Sequence, residues 1–341
     1  MSVRFRSFWP GFDPQDFFAP LLEGAIGDVV TVVDPGQRAE VIVTSVFASQ
    51  EPADRRRRRS PWARTRTPPR PSLRDPVRPP LRIWYSGENQ RPPIDGWDLA
   101  WGFEPDSPAA GVSYLPLWFH LFPELLAPIT RHRSSQNRLG RELTLAEVTR
   151  PRASTTAGRP RFACLFTSHR DPFRMRLAAA LSELGQVDVF GLPGTEPVAT
   201  KLEVAREYRF MLCPENDLYP GYVTEKAFDA WGAGCVPVWA GLDRDRYLEP
   251  AAFVDAAARP LEEVVADVAR LEADRARLDE MSRRPLLRRL PSLDAIRAVV
   301  AERLGASTQQ AQPTPDPTEV NCSNEIAPPE EVPSPDSAWA T

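Results

Sequence analysis

Short apolar runs rich in β-branched residues recur along this chain, and helical or turn segments separate them. Ser2–Phe8, VVTVV (Val29–Val33), EVIVTSVF (Glu40–Phe47), LRIWYSG (Leu81–Gly87) and WDLAWGF (Trp97–Phe103) form a first series. RFACLFTS (Arg161–Ser168), VDVFG (Val187–Gly191), YRFMLCPEN (Tyr208–Asn216) and CVPVWAG (Cys235–Gly241) form a second. Runs that stay apolar on consecutive positions, rather than alternating, belong to strands covered on both faces, and these are parallel strands with helical crossovers. Helices are expected before Leu22, over Phe173–Leu184 and Thr224–Ala233, and as one amphipathic helix over 260–282, where Val264, Val265, Val268 and Leu271 keep helical spacing. At 341 residues with 42% hydrophobic content, the chain can bury two cores. The fold class is therefore α/β, with two Rossmann-like doubly wound domains facing a cleft. Ligands in such sheets bind beyond the carboxyl ends of the strands.

Other segments lack a core. Residues 52–80 contain five consecutive arginines, Arg55–Arg59, among many prolines, and read as a disordered basic insertion, a solvated loop before a contact for nucleic acid or anionic lipid. Residues 306–341, rich in Pro, Glu, Ser and Thr, read as a disordered tail. Residues 130–160 are polar and hold the connection between domains. RRPLLRRL (Arg283–Leu290) reads as a packed, salt-bridged helix end, with peripheral contact at the inner membrane face as the second reading. A formal net charge of −4 speaks against a general polyanion binder, and no nucleic-acid partner is expected. The four cysteines, Cys164, Cys213, Cys235 and Cys322, have no CxxC spacing or nearby histidine pattern and are expected reduced and structural. No apolar stretch has the length of a signal peptide or membrane span, so a cytoplasmic location is expected.

Chemistry concentrates in PENDLYPGYVTEKAFDAWGAGCVPVWAG, Pro214–Gly241. A strand ends at Glu215-Asn216, a short loop follows, and a helix starts with Thr224 as its expected N-cap. Lys226 then falls in the first turn, where the helix dipole disfavours a cation unless an anion is present. Free N–H groups plus a lysine suit a diphosphate, while an ordinary helix start with solvated charges accounts for the spacing equally well.

The pattern E-N-x(5)-Y-V-T-E-K-x(3)-A-x(3)-G-x-V-P-V-x-x-G resembles the donor-binding signature of family 10 glycosyltransferases, the α-1,3-fucosyltransferases. Glu215, Asn216, Tyr222, Val223, Thr224, Glu225, Lys226, Ala230, Gly234, Val236, Pro237, Val238 and Gly241 carry it. YSGENQRPP (Tyr85–Pro93) with WDLAWGFEPD resembles the family's amino-terminal motif, FWPGFDP the start of its bacterial members, and TSHRDPFRMRLAAAL (Thr167–Leu181) its phosphate-binding strand–loop–helix. Pro214 departs from the family's aromatic residue, and His169 from its asparagine.

The resemblance implies a GT-B fold with an acceptor-side domain at 1–155 and a GDP-fucose-binding domain at 156–305. It implies inverting transfer of L-fucose from GDP-fucose to an acceptor glycan, with no cofactor and no required divalent metal. Glu88 is the expected base. Glu225 would contact the donor's ribose or fucose and stabilise oxocarbenium charge. Lys226 and Arg174, with Arg176 as fallback, would meet the diphosphate. Asn216, Tyr222, Thr224, Tyr85 and Gly87 complete the donor set. The alternatives are a GT-B enzyme using another nucleotide sugar, a catalytically silent glycan-binding relative, and a protein whose main function lies in the Arg/Pro arm.

Overall fold

The computed structural model describes residues 1–47, 78–127, 140–153, 156–193 and 198–305. The arginine run, most of the 52–80 insertion, the 306–341 tail and Cys322 lie outside the described residues. Residues 1–307 form one unit.

The first sheet uses β1 (Ser2–Arg6), β2 (Thr31–Val32), β3 (Val41–Thr44), β4 (Leu81–Tyr85), β5 (Leu99–Gly102) and β6 (Val112–Tyr114), in the order β2-β1-β3-β4-β5-β6. Every pairing is parallel. Helix α1 (Phe18–Ile26) is the crossover from β1 to β2, and its Phe18, Leu21 and Leu22 are fully buried. Each such side chain contributes roughly 1.5–3 kcal/mol by leaving water. Gly27, at φ 67°, ends the helix in the left-handed conformation that glycine adopts without steric cost.

A short helix α2 (Leu145–Val148), closed by a Thr144–Glu147 capping box, leads to the second half. There β7 (Arg161–Phe166), α3 (Pro172–Leu181), β8 (Val187–Phe190), α4 (Lys201–Ala205), β9 (Tyr208–Leu212), α5 (Lys226–Gly232), β10 (Val236–Trp239) and β11 (Val254–Asp255) alternate. The sheet order is β11-β10-β9-β7-β8, again all parallel. Strands β9 and β10 are buried at every position, as their unbroken apolar runs require. The expected α/β architecture with two parallel-sheet domains is present.

One expectation changes, and one helix is added. The helix expected over 260–282 is two, α6 (Leu261–Ala273) and α7 (Arg275–Arg283). Asp274 leaves helical geometry (φ −119°, ψ 88°), and its carboxylate accepts from the Arg277 amide at 3.1 Å, capping α7. Arg283 ends α7, and residues 284–293 are not helical. As expected, the RRPLLRRL segment is a packed, salt-bridged helix end: Arg283 and Arg284 pair with Asp279 and Glu280 of α7, Leu286 and Leu287 are buried, and Leu287 forms a bridge with Leu248. A further helix, α8 (Asp294–Leu304), buries Ile296, Val299 and Val300 and returns to pack on α1. Arg297 of α8 donates to the Leu125 carbonyl at 2.9 Å.

One hydrophobic cluster runs through both halves and includes Phe18, Trp101, Trp118, Phe228 and Tyr247. Trp118 stacks on Phe228 of α5 at 5.0 Å between ring centres. Cys164, Cys213 and Cys235 are free and buried. Among the described residues no helix is long and apolar enough to cross a membrane, and no group of three or more His, Cys, Asp or Glu side chains is placed to hold a metal ion.

Candidate active site

The strand order of the second sheet reverses between β7 and β9: β7 and β8 run to one edge, and β9, β10 and β11 to the other. A doubly wound sheet opens its crevice at such a point, past the strand ends. Thr167 follows β7 and Glu215-Asn216 follow β9, so both flank that crevice. Arg174, on the first turns of α3, spans it. Its guanidinium donates to Thr167 Oγ1 at 3.2 Å and to Asn216 Oδ1, and the side chain is buried. Both partners are neutral, and no carboxylate pairs with Arg174 among the described residues. A buried guanidinium without a counterion is a built-in attraction for an anion. Arg176, the alternative from sequence, is exposed on the helix surface.

Glu215 organises the far side. Its carboxylate is shielded from solvent and accepts from the Thr224 amide at 2.9 Å, the Thr224 hydroxyl at 2.6 Å, the Lys226 ammonium at 3.0 Å and the Trp239 indole at 3.3 Å. A Cβ added at Gly241 would collide with the Trp239 ring and lie 2.9 Å from Glu215 Cγ, so the motif's last glycine makes room for the indole and for the stem of this glutamate. Sequence reasoning quoted Glu215 within the motif without giving it a role. The available signal was an acid at a strand end, upstream of the motif's lysine.

Thr224 does not cap α5. The helix starts at Lys226, Glu225 occupies the capping position, and no side-chain cap bond forms there. The Thr224 hydroxyl is committed to Glu215 and accepts from Lys226 Nζ at 3.1 Å. Burial disfavours the Lys226 ammonium, but the carboxylates of Glu215 and Glu225 outweigh it and hold the amine above its ordinary range. About a fifth of the Lys226 side chain stays open to solvent. The Glu225 side chain is 29% exposed, with Lys201 Nζ 4.0 Å away. Burial pushes the Tyr222 phenol up, with Glu215, Glu88 and Glu225 adding and Lys226 opposing, and its hydroxyl accepts from Asn216 Nδ2 at 3.4 Å.

Across the cleft, the loop after β4 carries Glu88. Ser86 Oγ accepts from the Glu88 amide at 3.1 Å and donates to the Glu88 carbonyl at 2.9 Å, which fixes the turn. A Cβ on Gly87 would meet the Tyr85 hydroxyl at 2.8 Å and Leu117 at 2.9 Å, so only glycine lets the loop lie this low. Tyr85 supports it from beneath: it is fully buried, with its hydroxyl 3.2 Å from His120 Nε2. Burial and the nearby Glu88 charge push that phenol up.

The two loops meet. Asn89 Nδ2 donates to Asp217 Oδ2 at 2.9 Å, and the Arg91 guanidinium lies 3.9 Å over the Tyr219 ring. The Tyr219 hydroxyl donates to Glu104 at 3.0 Å and that of Tyr114 to the Gly221 carbonyl at 3.1 Å. The structure therefore brings Glu88, Tyr222, Glu225, Lys226, Asn216 and Arg174 to one region, whereas Tyr85, Gly87 and Thr224 act from behind it.

Comparison with known proteins fits this geometry. Residues 156–280 match the family described as glycosyltransferase family 10 (fucosyltransferase) C-term. Alpha-(1,3)-fucosyltransferase C of Drosophila melanogaster is 37% identical over 109 residues, covering 29% of this chain and 25% of that protein. The 3-galactosyl-N-acetylglucosaminide 4-alpha-L-fucosyltransferase FUT3 of Homo sapiens is 38% identical over 92 residues, 25% of each chain. The chain thus spans about a quarter of the length of these curated relatives. In fold, a solved α1,3-fucosyltransferase with GDP-fucose superposes at a TM-score of 0.59 with 18% identity, over 88% of this chain and 90% of that one. A structure of α1,3-fucosyltransferase with GDP gives 0.61 and 19%, over 90% and 91%. Residues 156–280 thus match the C-terminal part of glycosyltransferase family 10 (fucosyltransferase), within a two-sheet α/β fold of the GT-B type.

Proposed function

We propose that the chain is an inverting glycosyltransferase that moves L-fucose from GDP-fucose to a hydroxyl of an acceptor glycan, in the manner of an α-1,3-fucosyltransferase. One observation carries the reading. The loop bearing Glu88 and the loop bearing Asn216 and Tyr222 touch through Asn89 and Asp217, and the Glu88 charge bears on the Tyr222 phenol of the other lobe, beside Lys226.

In this account an acceptor hydroxyl attacks the anomeric carbon while the bond from that carbon to the diphosphate oxygen breaks. The proton passes to Glu88. The electron pair leaves with GDP, whose growing charge meets Lys226 and Arg174. Base and leaving group lie on opposite faces of the sugar, and this arrangement inverts the anomeric centre. Glu225, partly open at the start of α5, faces the sugar ring and offsets its developing positive charge. Asn216 and Tyr222 orient the donor. Glu215 touches no substrate and keeps Lys226 in place.

The test is incubation of the purified protein with GDP-fucose and a panel of galactosyl-N-acetylglucosamine acceptors, read by mass spectrometry, alongside UDP-sugar donors. Addition of one deoxyhexose supports the reading. Transfer from a UDP-sugar alone, or no transfer and no donor hydrolysis, removes it.

A further inference from the structure

Of the chain's 42 cationic side chains only two are lysines, Lys201 and Lys226, and the fold brings both to the carboxylates opening α5. The mechanism above uses Lys226. Lys201 begins α4, where the Thr200 hydroxyl accepts from the Glu203 amide at 3.3 Å. Its ammonium pairs with Asp229 and lies 4.0 Å from Glu225 Oε1. Glu225 and Asp229 stand four residues apart, one above the other on one face of α5, where like charges repel. Asp229 is 3% exposed and Lys201 14%. A compact ammonium can sit between two carboxylates in this way, whereas the flat guanidinium fork used elsewhere in the chain favours one carboxylate edge-on.

We propose that Lys201 is a positioning residue for Glu225, holding that carboxylate in one orientation at the donor site through the Lys201–Asp229 pair, without itself touching the nucleotide sugar. The inference rests on the reading of Glu225 as a donor contact. Without Lys201, Asp229 is a buried acid beside Glu225, with Lys226 the remaining cation on that turn. Asp229 then takes up a proton and Glu225 loses the Lys201 ammonium beside it. Displacement by about 1 Å of a group that contacts the reacting sugar costs up to ~100-fold in rate.

Four proteins test this: wild type, Lys201→Met, Asp229→Asn and the double variant. Each is measured for thermal unfolding, GDP affinity by calorimetry, and kcat and KM with GDP-fucose. Lys201→Met is expected to lower the unfolding temperature and to reduce kcat at least about tenfold, while GDP affinity stays within about threefold because Arg174 and Lys226 are intact. Adding Asp229→Asn removes the stranded acid and restores the unfolding temperature, but kcat stays low. Recovery of kcat together with stability in the double variant makes Lys201 a purely structural partner of Asp229 and overturns the inference. So does an unchanged kcat in folded Lys201→Met. A wild type that binds GDP but turns over no GDP-fucose removes the functional reading and this inference together, whereas an active wild type with an indifferent Lys201→Met removes the inference alone.

Discussion

The ammonium of Lys226 lies 3.0 Å from the carboxylate of Glu215, a side chain with no solvent exposure of its own. The same carboxylate also binds the backbone and hydroxyl of Thr224. Removing its charge strands a half-desolvated amine and weakens three further bonds. Glu215→Gln is expected to cost about 2–4 kcal/mol, toward the low side of broken buried pairs because Lys226 keeps some water. Thermal unfolding would show a midpoint several degrees lower. An unchanged midpoint would mean that Glu215 does not anchor the loop.

Glu88 and the cations serve different steps, so their loss should separate kinetically. Glu88→Ala is expected to lower transfer at least about 100-fold, within the usual range for losing a general base. GDP affinity measured by calorimetry should move by less than about threefold. Turnover near wild type would rule Glu88 out as the base.

Lys226→Ala and Arg174→Ala should act on the donor instead. A charge-assisted hydrogen bond contributes about 1.5–3 kcal/mol, so GDP binding is expected to weaken by roughly 10–150-fold for either change. Arg174→Lys should not restore it, since Thr167 and Asn216 are matched to two guanidinium nitrogens. Exposed Arg176→Ala serves as the control. If Arg176→Ala weakens GDP binding and Arg174→Ala does not, the assignment is reversed.

Asp229 gives a pH signature. Burial pushes its carboxyl up to about 6, with Glu225 adding, while Lys201 and Lys226 oppose. Between its unfolded value of about 3.9 and that folded value, the native protein holds the proton more tightly than the unfolded chain. The contribution of Asp229 to stability is therefore present below about pH 4 and is lost as pH rises toward about 6. Comparing unfolding midpoints of wild type and Asp229→Asn across this window should show the difference shrinking at the acid end. A difference that does not vary with pH would place the group's folded pKa near its ordinary value.

Much of this was open to reading from the sequence for a definite reason. Strands such as RFACLF and YRFML must be apolar on both faces because helices cover both, and that leaves unbroken runs. Glu88, Glu225 and Lys226 were visible because they stand in the motifs that carry the family resemblance, and Lys226 also because a cation in a helix's first turn calls for an anion. What stayed hidden depends on partners distant along the chain. Thr224 satisfies every local rule for an N-cap, yet a buried carboxylate nine positions upstream takes its hydroxyl. Helical spacing runs on across Asp274 even though that residue stops one helix and starts another. The apolar positions of α8 repeat at helical intervals, but nothing in them says that the helix belongs against α1, far away in the sequence. Lys201 showed only as a rarity, one of two lysines in an arginine-rich chain.

Because α8 lies on α1, the polypeptide passes from lobe to lobe twice, once between β6 and β7 and again between α7 and α8. Two crossings pin the lobes together at two places. An excised fragment ending at residue 280 would forfeit the second pin and leave the apolar back of α1 wet. Such a fragment should therefore be sticky, and any truncation that retains α1 would do best to keep the chain through Leu304.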